Sequence, residues 1–278
     1  MKISELTTKY RSELEFKNYS ESSISLYVNV VYKFLHDFEG LFRSPEKIKT
    51  DIIKDWIRQA PSASTMKIRI GALKNFYHRV VRQPLKFKYV EYPKKEIKHP
   101  IILSQEETQK LFDACTNHKH KTILYVAYAT GVRVSELLAI KLADIDRANG
   151  VIHILNGKGS KQRQVTMKPE LVGIITKYWR EYKTKEYLFE GQFGGKYTAS
   201  SINQFLKKYA ILAGIKKNVH IHLLRHLYAS HSLESGENLY VTQKALGHSS
   251  PKTTADIYYH ISPNIIANAF SPIQNIKL

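Results

Sequence analysis

The sequence has little cysteine, no long apolar run and few acidic residues. Its single cysteine, Cys115, cannot form an intramolecular disulfide. The first ten residues, MKISELTTKY, contain no apolar signal segment, and no run of about eighteen apolar residues occurs anywhere. We therefore predict a cytoplasmic protein without a membrane-spanning helix.

The shortage of acidic residues gives the chain a large positive charge. Its 278 residues include 43 Lys and Arg against 24 Asp and Glu, for a formal net charge of +19 and a pI near 9.7. Such an excess predicts a polyanionic partner, and nucleic acid is the first candidate. A basic protein of the membrane surface is the alternative, but the sequence carries no lipidation motif to support it.

Hydrophobic periodicity predicts a helical unit in the first hundred residues. Apolar residues recur at helical spacing over about 20–38, 50–61 and 64–82. The last of these segments has no acid between Met66 and Val90, and its basic residues include Lys67, Arg69, Lys74 and Arg79. We interpret these four residues as contacts to double-stranded DNA, with a solvated helix face as the alternative.

A segment rich in proline and lysine, residues 83–100, separates this unit from the rest. Proline disfavours helix there, so an extended basic segment is expected. We place a helical domain at 1–88, a linker at 89–100 and a second domain at 101–278.

The second domain is predicted to combine helices with a small β-sheet. Ser104 to Glu107 reads as an S-x-x-E capping box that opens a helix. The segments 151–155 and 163–167 are expected to pair as strands around the turn N-G-K-G-S-K-Q, which carries Lys158 between two glycines. Further helices are expected over about 121–130, 169–182 and 200–213. The predicted fold class is mainly α with a small β-sheet.

An arginine and a glutamate follow a helix break in the middle of this domain. Gly131 ends an apolar helix, and Arg133 stands directly after the break. Glu136 follows three residues later, where its carboxylate can hold the Arg133 guanidinium.

The segment from Val219 to His260 concentrates the residues that suggest chemistry: His222, Arg225, His226, His248, Tyr258 and His260. Arg225 has apolar neighbours, and a buried guanidinium is costly unless an anion such as a phosphate meets it. A metal site at His222 and His226 is one alternative, but the adjacent Glu of H-E-x-x-H is missing and Arg225 would repel the metal. Ordinary cap and core histidines are the second alternative, and phosphoryl transfer with a tyrosine nucleophile is the third.

Five segments together decide between these alternatives. T-G-V-R-V-S-E-L-L, N-G-K-G-S-K-Q-R, H-L-L-R-H, L-G-H-S-S and T-T-A-D-I-Y-Y-H follow one another in the order found in tyrosine recombinases of the phage-integrase and Xer type. The chain resembles that family over its whole length. The resemblance implies a helical core-binding domain followed by a mixed α/β tyrosine-recombinase catalytic domain.

The same resemblance implies the site residues. The catalytic set would be Arg133, Lys158, His222, Arg225, His248 and Tyr258, with Glu136 in support of Arg133. Tyr259 is adjacent to the nucleophile position, and Tyr258 is chosen because the family pattern ends Y-x-H.

The implied activity is site-specific DNA recombination through a 3′-phosphotyrosyl intermediate and a Holliday junction, by a tetramer on two DNA sites. The tyrosyl ester conserves the energy of the broken bond, so no cofactor, neither ATP nor metal, is expected. A type IB topoisomerase and a non-catalytic DNA-binding protein of the same fold are the rival interpretations. The sequence leaves open a chromosome-dimer resolvase or a mobile-element integrase, and docking of the C-terminal tail in cis or in trans.

Overall fold

A computed structural model of the chain describes residues 2–94, 101–155 and 162–247. The chain divides into two compact units, Met1–Lys98 and His99–Leu278. The described residues are mainly helical with one three-stranded sheet, so the predicted fold class is confirmed. Within these ranges, no helix combines the length and the apolar character that crossing a membrane requires.

The first unit is built from α-helices and short 3-10 turns. Its helices are α1 (Ile3–Phe16), α2 (Glu21–Asp37), α3 (Thr50–Arg58) and α4 (Ala63–Arg79). Ser20 and Ser62 cap α2 and α4 by accepting backbone N–H groups of the first turn, which fixes where these helices begin. The helices bury one common core that includes Phe34, Trp56, and Phe76.

Two sequence expectations for this unit are wrong. The helix that begins near Ser20 was expected to be the first, but α1 precedes it and buries Tyr10 and Leu14 in the same core. Residues 83–100 were expected to be extended from their start, but Pro84–Phe87 forms a 3-10 turn. The turn forms because it places Phe87 in the core, where only 2% of the residue is exposed.

The second unit arranges its helices around a small sheet. The helices are α5 (Gln105–Ala114), α6 (His118–Thr130), α7 (Val134–Ala139), α8 (Pro169–Tyr182), α9 (Ala199–Leu212), α10 (Ile221–Glu234) and α11 (Leu239–Leu246). The strands are β1 (Ile145–Asp146), β2 (Val151–Ile154) and β3 (Arg163–Thr166). The predicted capping box of Ser104 and Glu107 is confirmed at the start of α5.

The strands pair antiparallel in the order β1-β2-β3. Ile152 faces Val165, and Ile154 faces Arg163, the first residue of β3. Ile152, Ile154 and Val165 are buried in the core shared with α6 and α10, so the sheet has one face on the core. This register fixes where the Arg163 side chain leaves the sheet. Of the predicted turn, residues 156–162, all but Gln162 lie outside the described residues.

Candidate active site

The break after α6 supplies the first part of the site. Gly131 caps α6 in the left-handed conformation, with φ of 59°. Arg133 then precedes the first turn of α7, where Glu136 accepts the Arg133 backbone N–H at 2.8 Å through Oε2 and the Arg133 Nη1 at 2.8 Å through Oε1. The predicted contact between the Arg133 guanidinium and Glu136 is therefore present.

Glu136 has a second partner that the sequence did not suggest. Arg163 donates Nη1 to Oε1 at 2.9 Å and Nη2 to Oε2 at 2.7 Å, as a two-pronged ion pair. The Glu136 side chain is only 1% exposed. Burial alone would raise its pKa, but the hydrogen bonds from Arg163 and Arg133 outweigh burial and lower the pKa to about 2. Glu136 is therefore ionised at neutral pH.

Arg225 is the buried member of the arginine cluster. The residue lies in α10 and is 4% exposed, as its apolar sequence neighbours predicted. It donates Nη1 to the Gly131 carbonyl oxygen at 2.6 Å and Nη2 to the Leu246 carbonyl oxygen at 2.6 Å. Burial, and then the charge of Arg133, lower the pKa of Arg225 to about 10, so the guanidinium keeps its proton at neutral pH.

The two candidate catalytic arginines meet at the end of α11. Arg133 donates Nη2 to the Gly247 carbonyl oxygen at 3.1 Å, next to the Leu246 carbonyl that Arg225 uses. The carboxyl end of a helix carries partial negative charge, which stabilises cations there. Arg133 and Arg163 pair with the same carboxylate, Glu136, and Arg225 binds main-chain carbonyls instead. Among the described residues, three guanidinium groups therefore have one carboxylate partner, which leaves a surplus of positive charge that suits an anion.

The histidines of α10 have their own arrangement. The Nδ1 of His220, at the helix N-terminus, accepts the Leu223 backbone N–H at 3.1 Å. The His222 and His226 rings stand edge to face, with centroids 4.7 Å apart. Partial burial of its ring, and then the charge of Arg225, lower the pKa of His222. Burial lowers the pKa of His226 to about 4. Both rings are therefore neutral at pH 7, and a neutral imidazole can accept a proton.

Three predicted catalytic residues, Lys158, His248 and Tyr258, lie outside the described residues. The described chain stops at Gly247, whose carbonyl binds Arg133, directly before His248.

The basic residues predicted to contact DNA from the segment 64–82 all lie in α4. Lys74 is exposed, and Lys67 and Arg79 are half-buried. Arg69 differs, because its guanidinium lies 4.1 Å from the centre of the Trp56 ring and donates to the Trp56 carbonyl oxygen. Arg69 therefore has a packing contact within its own unit.

Sequence reasoning missed Arg163 and the carbonyl groups of Gly131, Leu246 and Gly247. The only signal for Arg163 was its place at the end of the N-G-K-G-S-K-Q-R segment, since its partners are 27 and 82 residues away. The carbonyl groups carried no signal, because every residue has one.

Comparison with known proteins adds independent observations. The model of the phage integrase family matches residues 102–264. A putative integrase/recombinase of Sinorhizobium fredii, y4qK, is 32% identical over 276 residues, which cover 97% of this chain and 88% of that protein.

Solved structures show the same fold. XerH site-specific recombinase, bound to difH substrate in a pre-cleavage complex, is 25% identical with a TM-score of 0.70 over 94% of this chain and 84% of its own. A lambda integrase tetramer bound to a Holliday junction has a TM-score of 0.77 at 16% identity, over 94% of this chain and 78% of its own. The family predicted from the five sequence segments is thus confirmed: the chain belongs to the phage integrase family and is a tyrosine-type site-specific recombinase.

Proposed function

We propose that this protein cleaves and rejoins DNA strands at specific sites, with Arg133 and Arg225 as the clamp on the reacting phosphate. The observation that carries the proposal is the convergence of both guanidinium groups on the end of α11. Non-bridging oxygens of a phosphodiester gain negative charge in the transition state, and preorganised guanidinium groups stabilise that charge. Glu136, held by Arg163, fixes the direction of the Arg133 guanidinium.

Tyr258 is the proposed nucleophile. A tyrosine hydroxyl has a pKa near 10, so it needs a base to attack at neutral pH. His222 takes the proton, in keeping with its lowered pKa, as the tyrosine oxygen forms a bond to phosphorus. The bond from phosphorus to the 5′ oxygen breaks, Lys158 protonates that oxygen, and His248 donates a hydrogen bond to the phosphate.

Rejoining reverses these steps on a new partner. The 5′ hydroxyl of a second strand attacks the phosphotyrosine, and the tyrosine oxygen leaves and regains its proton. Each step exchanges one phosphoester for another, so the proposed reaction consumes neither ATP nor a metal ion.

Residues 1–88 are proposed to form a DNA-binding domain and residues 101–278 the catalytic domain, with 89–100 as the linker. Exposed Lys74 and half-buried Lys67 and Arg79 on α4 support a basic DNA contact, whereas Arg69 contributes through its packing on Trp56. We also propose that four copies act together on two DNA sites in the cytoplasm. The tetrameric lambda integrase complex with the same fold supports the assembly.

The test begins with the unknown DNA site. Covalent protein–DNA complexes are trapped in cells of the organism that encodes the protein, and the attached DNA ends are sequenced. Complexes at a small set of sequences, with protein on the 3′ end, are expected, and duplexes nicked beside that sequence should then accumulate the covalent product in vitro.

Two results would contradict the proposal. Absence of any covalent product would leave a DNA-binding protein without catalysis. Relaxation of supercoiled plasmid at unrelated sequences, with no exchange between two DNA sites, would indicate a topoisomerase instead.

A further inference from the structure

Arg163 makes contacts in three parts of the second unit. It begins β3 and pairs with Ile154 of β2. Its guanidinium grips both Glu136 oxygens in α7, and its Nε donates to the Ala245 carbonyl oxygen in α11 at 3.2 Å. One side chain therefore links the sheet to α7, which precedes β3 in the sequence, and to α11, which follows it.

This contact differs from an ordinary surface ion pair. The Arg163 side chain is 13% exposed and its partner Glu136 is 1% exposed, so solvent screens the pair little. The backbone at Gly247 also lies close to Arg163, since a Cβ added at Gly247 would lie 3.0 Å from Arg163 Cδ. Gly247 thus leaves room for the Arg163 stem at the point where Arg133 binds the Gly247 carbonyl.

The Glu136 carboxylate that Arg163 binds is the one that also holds Arg133. We propose that Arg163 is a positioning residue of the recombinase reaction, which holds Glu136 and, through it, the guanidinium of Arg133.

The inference rests on the proposed function of Arg133. Its physical basis is that Arg163 occupies both Glu136 oxygens, so the carboxylate cannot rotate away from Arg133. Loss of this restraint would let the guanidinium of Arg133 drift from the phosphate. Misplacement of a catalytic group by about 1 Å can slow a reaction about a hundredfold.

A purely structural role makes a different prediction. If Arg163 only neutralised the buried Glu136 charge, Arg163→Lys, which keeps that charge without the two-pronged contact, would restore the full rate. The double variant Glu136→Gln/Arg163→Gln keeps hydrogen-bonding side chains of similar size without an unpaired buried charge, so it controls for stability. Because Glu136 also holds Arg133, its rate is compared with that of Glu136→Gln alone.

The experiment measures full-length protein on its own DNA site. Arg163→Gln, Arg163→Lys and the double variant are compared with wild type for DNA affinity and for the rate of covalent complex formation at saturating DNA. Arg147→Gln, at an exposed arginine in the turn between β1 and β2, is the matched control and should behave as wild type.

The positioning role predicts a loss in the chemical step. Arg163→Gln should form the covalent complex about a hundredfold more slowly with unchanged DNA affinity. Arg163→Lys keeps the charge but not the fork, so it should recover part of the rate. The double variant should fold, as judged by urea unfolding, and stay slow.

Three outcomes have distinct meanings. A wild-type rate in Arg163→Gln, in Arg163→Lys or in the double variant would overturn the inference, as would a loss confined to DNA affinity. If Arg163→Gln does not fold, the Arg163→Lys and double-variant rates decide the question in the same way. A wild-type protein that forms no covalent complex would instead reject the proposed function.

Discussion

Arg133 and Arg225 bind consecutive main-chain carbonyl groups, Gly247 at 3.1 Å and Leu246 at 2.6 Å. Their charges repel, and part of the lowered pKa of Arg225 comes from Arg133. Two cations stay together here because the helix end offers partial negative charge and because Glu136 lies beside them. A bound phosphate would add further negative charge beside the two guanidinium groups.

Gly131→Ala should destabilise the protein and slow cleavage. A Cβ at Gly131 would lie 2.6 Å from the Tyr228 side chain and 2.8 Å from the Leu246 side chain. These side chains would have to move, and the Gly131 carbonyl that holds Arg225 would move with them. Gly214→Ala is the matched control, since its φ of +70° is also positive but nothing lies within 4 Å of an added Cβ. We expect Gly131→Ala to lose about 1 to 3 kcal/mol more unfolding free energy than the control, measured in urea. Equal losses would show that packing at Gly131 is unimportant.

Glu136 should make the free energy of unfolding depend on pH in the acid range. Its folded pKa of about 2 lies below its ordinary value of 4.5, so the ionised form stabilises the fold fully above about pH 5. That contribution, about 3 kcal/mol, is lost as the pH falls through 4.5 towards 2. The gap in unfolding free energy between wild type and Glu136→Gln should therefore shrink over that window. Exposed Glu106→Gln controls for loss of any carboxylate, and a gap independent of pH would refute the assignment.

Tyr258→Phe should abolish covalent attachment while DNA binding survives, because it removes only one hydroxyl. Tyr259→Phe is the matched control and should still form the covalent band on a nicked duplex. Consecutive side chains leave the backbone in different directions, so only one of the two hydroxyls is expected to reach the phosphate. The reverse pattern would move the nucleophile to Tyr259, and a band in both variants would reject a single-tyrosine mechanism.

Lys158→Ala should slow cleavage by failing to protonate the leaving 5′ oxygen. A substrate with sulfur at that bridging position needs no proton for departure, so it should restore most of the rate. Single-turnover cleavage of both substrates tests this. If Lys158→Ala still cleaves the sulfur substrate much more slowly than wild type does, Lys158 has another role. Arg225→Lys, which damages the phosphate clamp rather than the leaving group, should gain nothing from sulfur.

DNA affinity should fall steeply with salt, because each neutralised phosphate adds about −0.9 to the log–log slope on duplex DNA. The net charge of +19 motivates this expectation. Lys74→Ala, at an exposed position of α4, should reduce the slope by about one such contact, while exposed Lys9→Ala on α1 should not. A DNA affinity that is nearly the same at low and at physiological salt would argue against extensive phosphate contacts.

Local chemistry allowed much of the fold to be predicted. The Ser104 cap and the helix from Pro169 to Tyr182 depend on neighbours within a few residues, and both were found where expected. Helix α1 was missed because its inward face includes the polar Thr7 together with Ile3, Tyr10 and Leu14, which weakens the apolar pattern.

The site was predictable only in part. The pairing of Arg133 with Glu136 follows from a spacing of three residues. The burial of Arg225 followed from its apolar neighbours, but its carbonyl partners could not be read because they depend on how α6 and α11 pack around α10. Arg163 depends on strand register, which brings it to Glu136 from 27 residues away.

The main-chain ligands at the end of α11 have a consequence for substitutions in this helix. Arg133, Arg163 and Arg225 all bind carbonyl oxygens of residues 245–247, and a carbonyl is retained whatever side chain replaces its neighbour. Only Thr242 and Leu246 of this helix are buried. Outward side chains such as Tyr240 and Lys244 therefore take no part in holding the three arginines, and replacing them would leave these main-chain contacts in place.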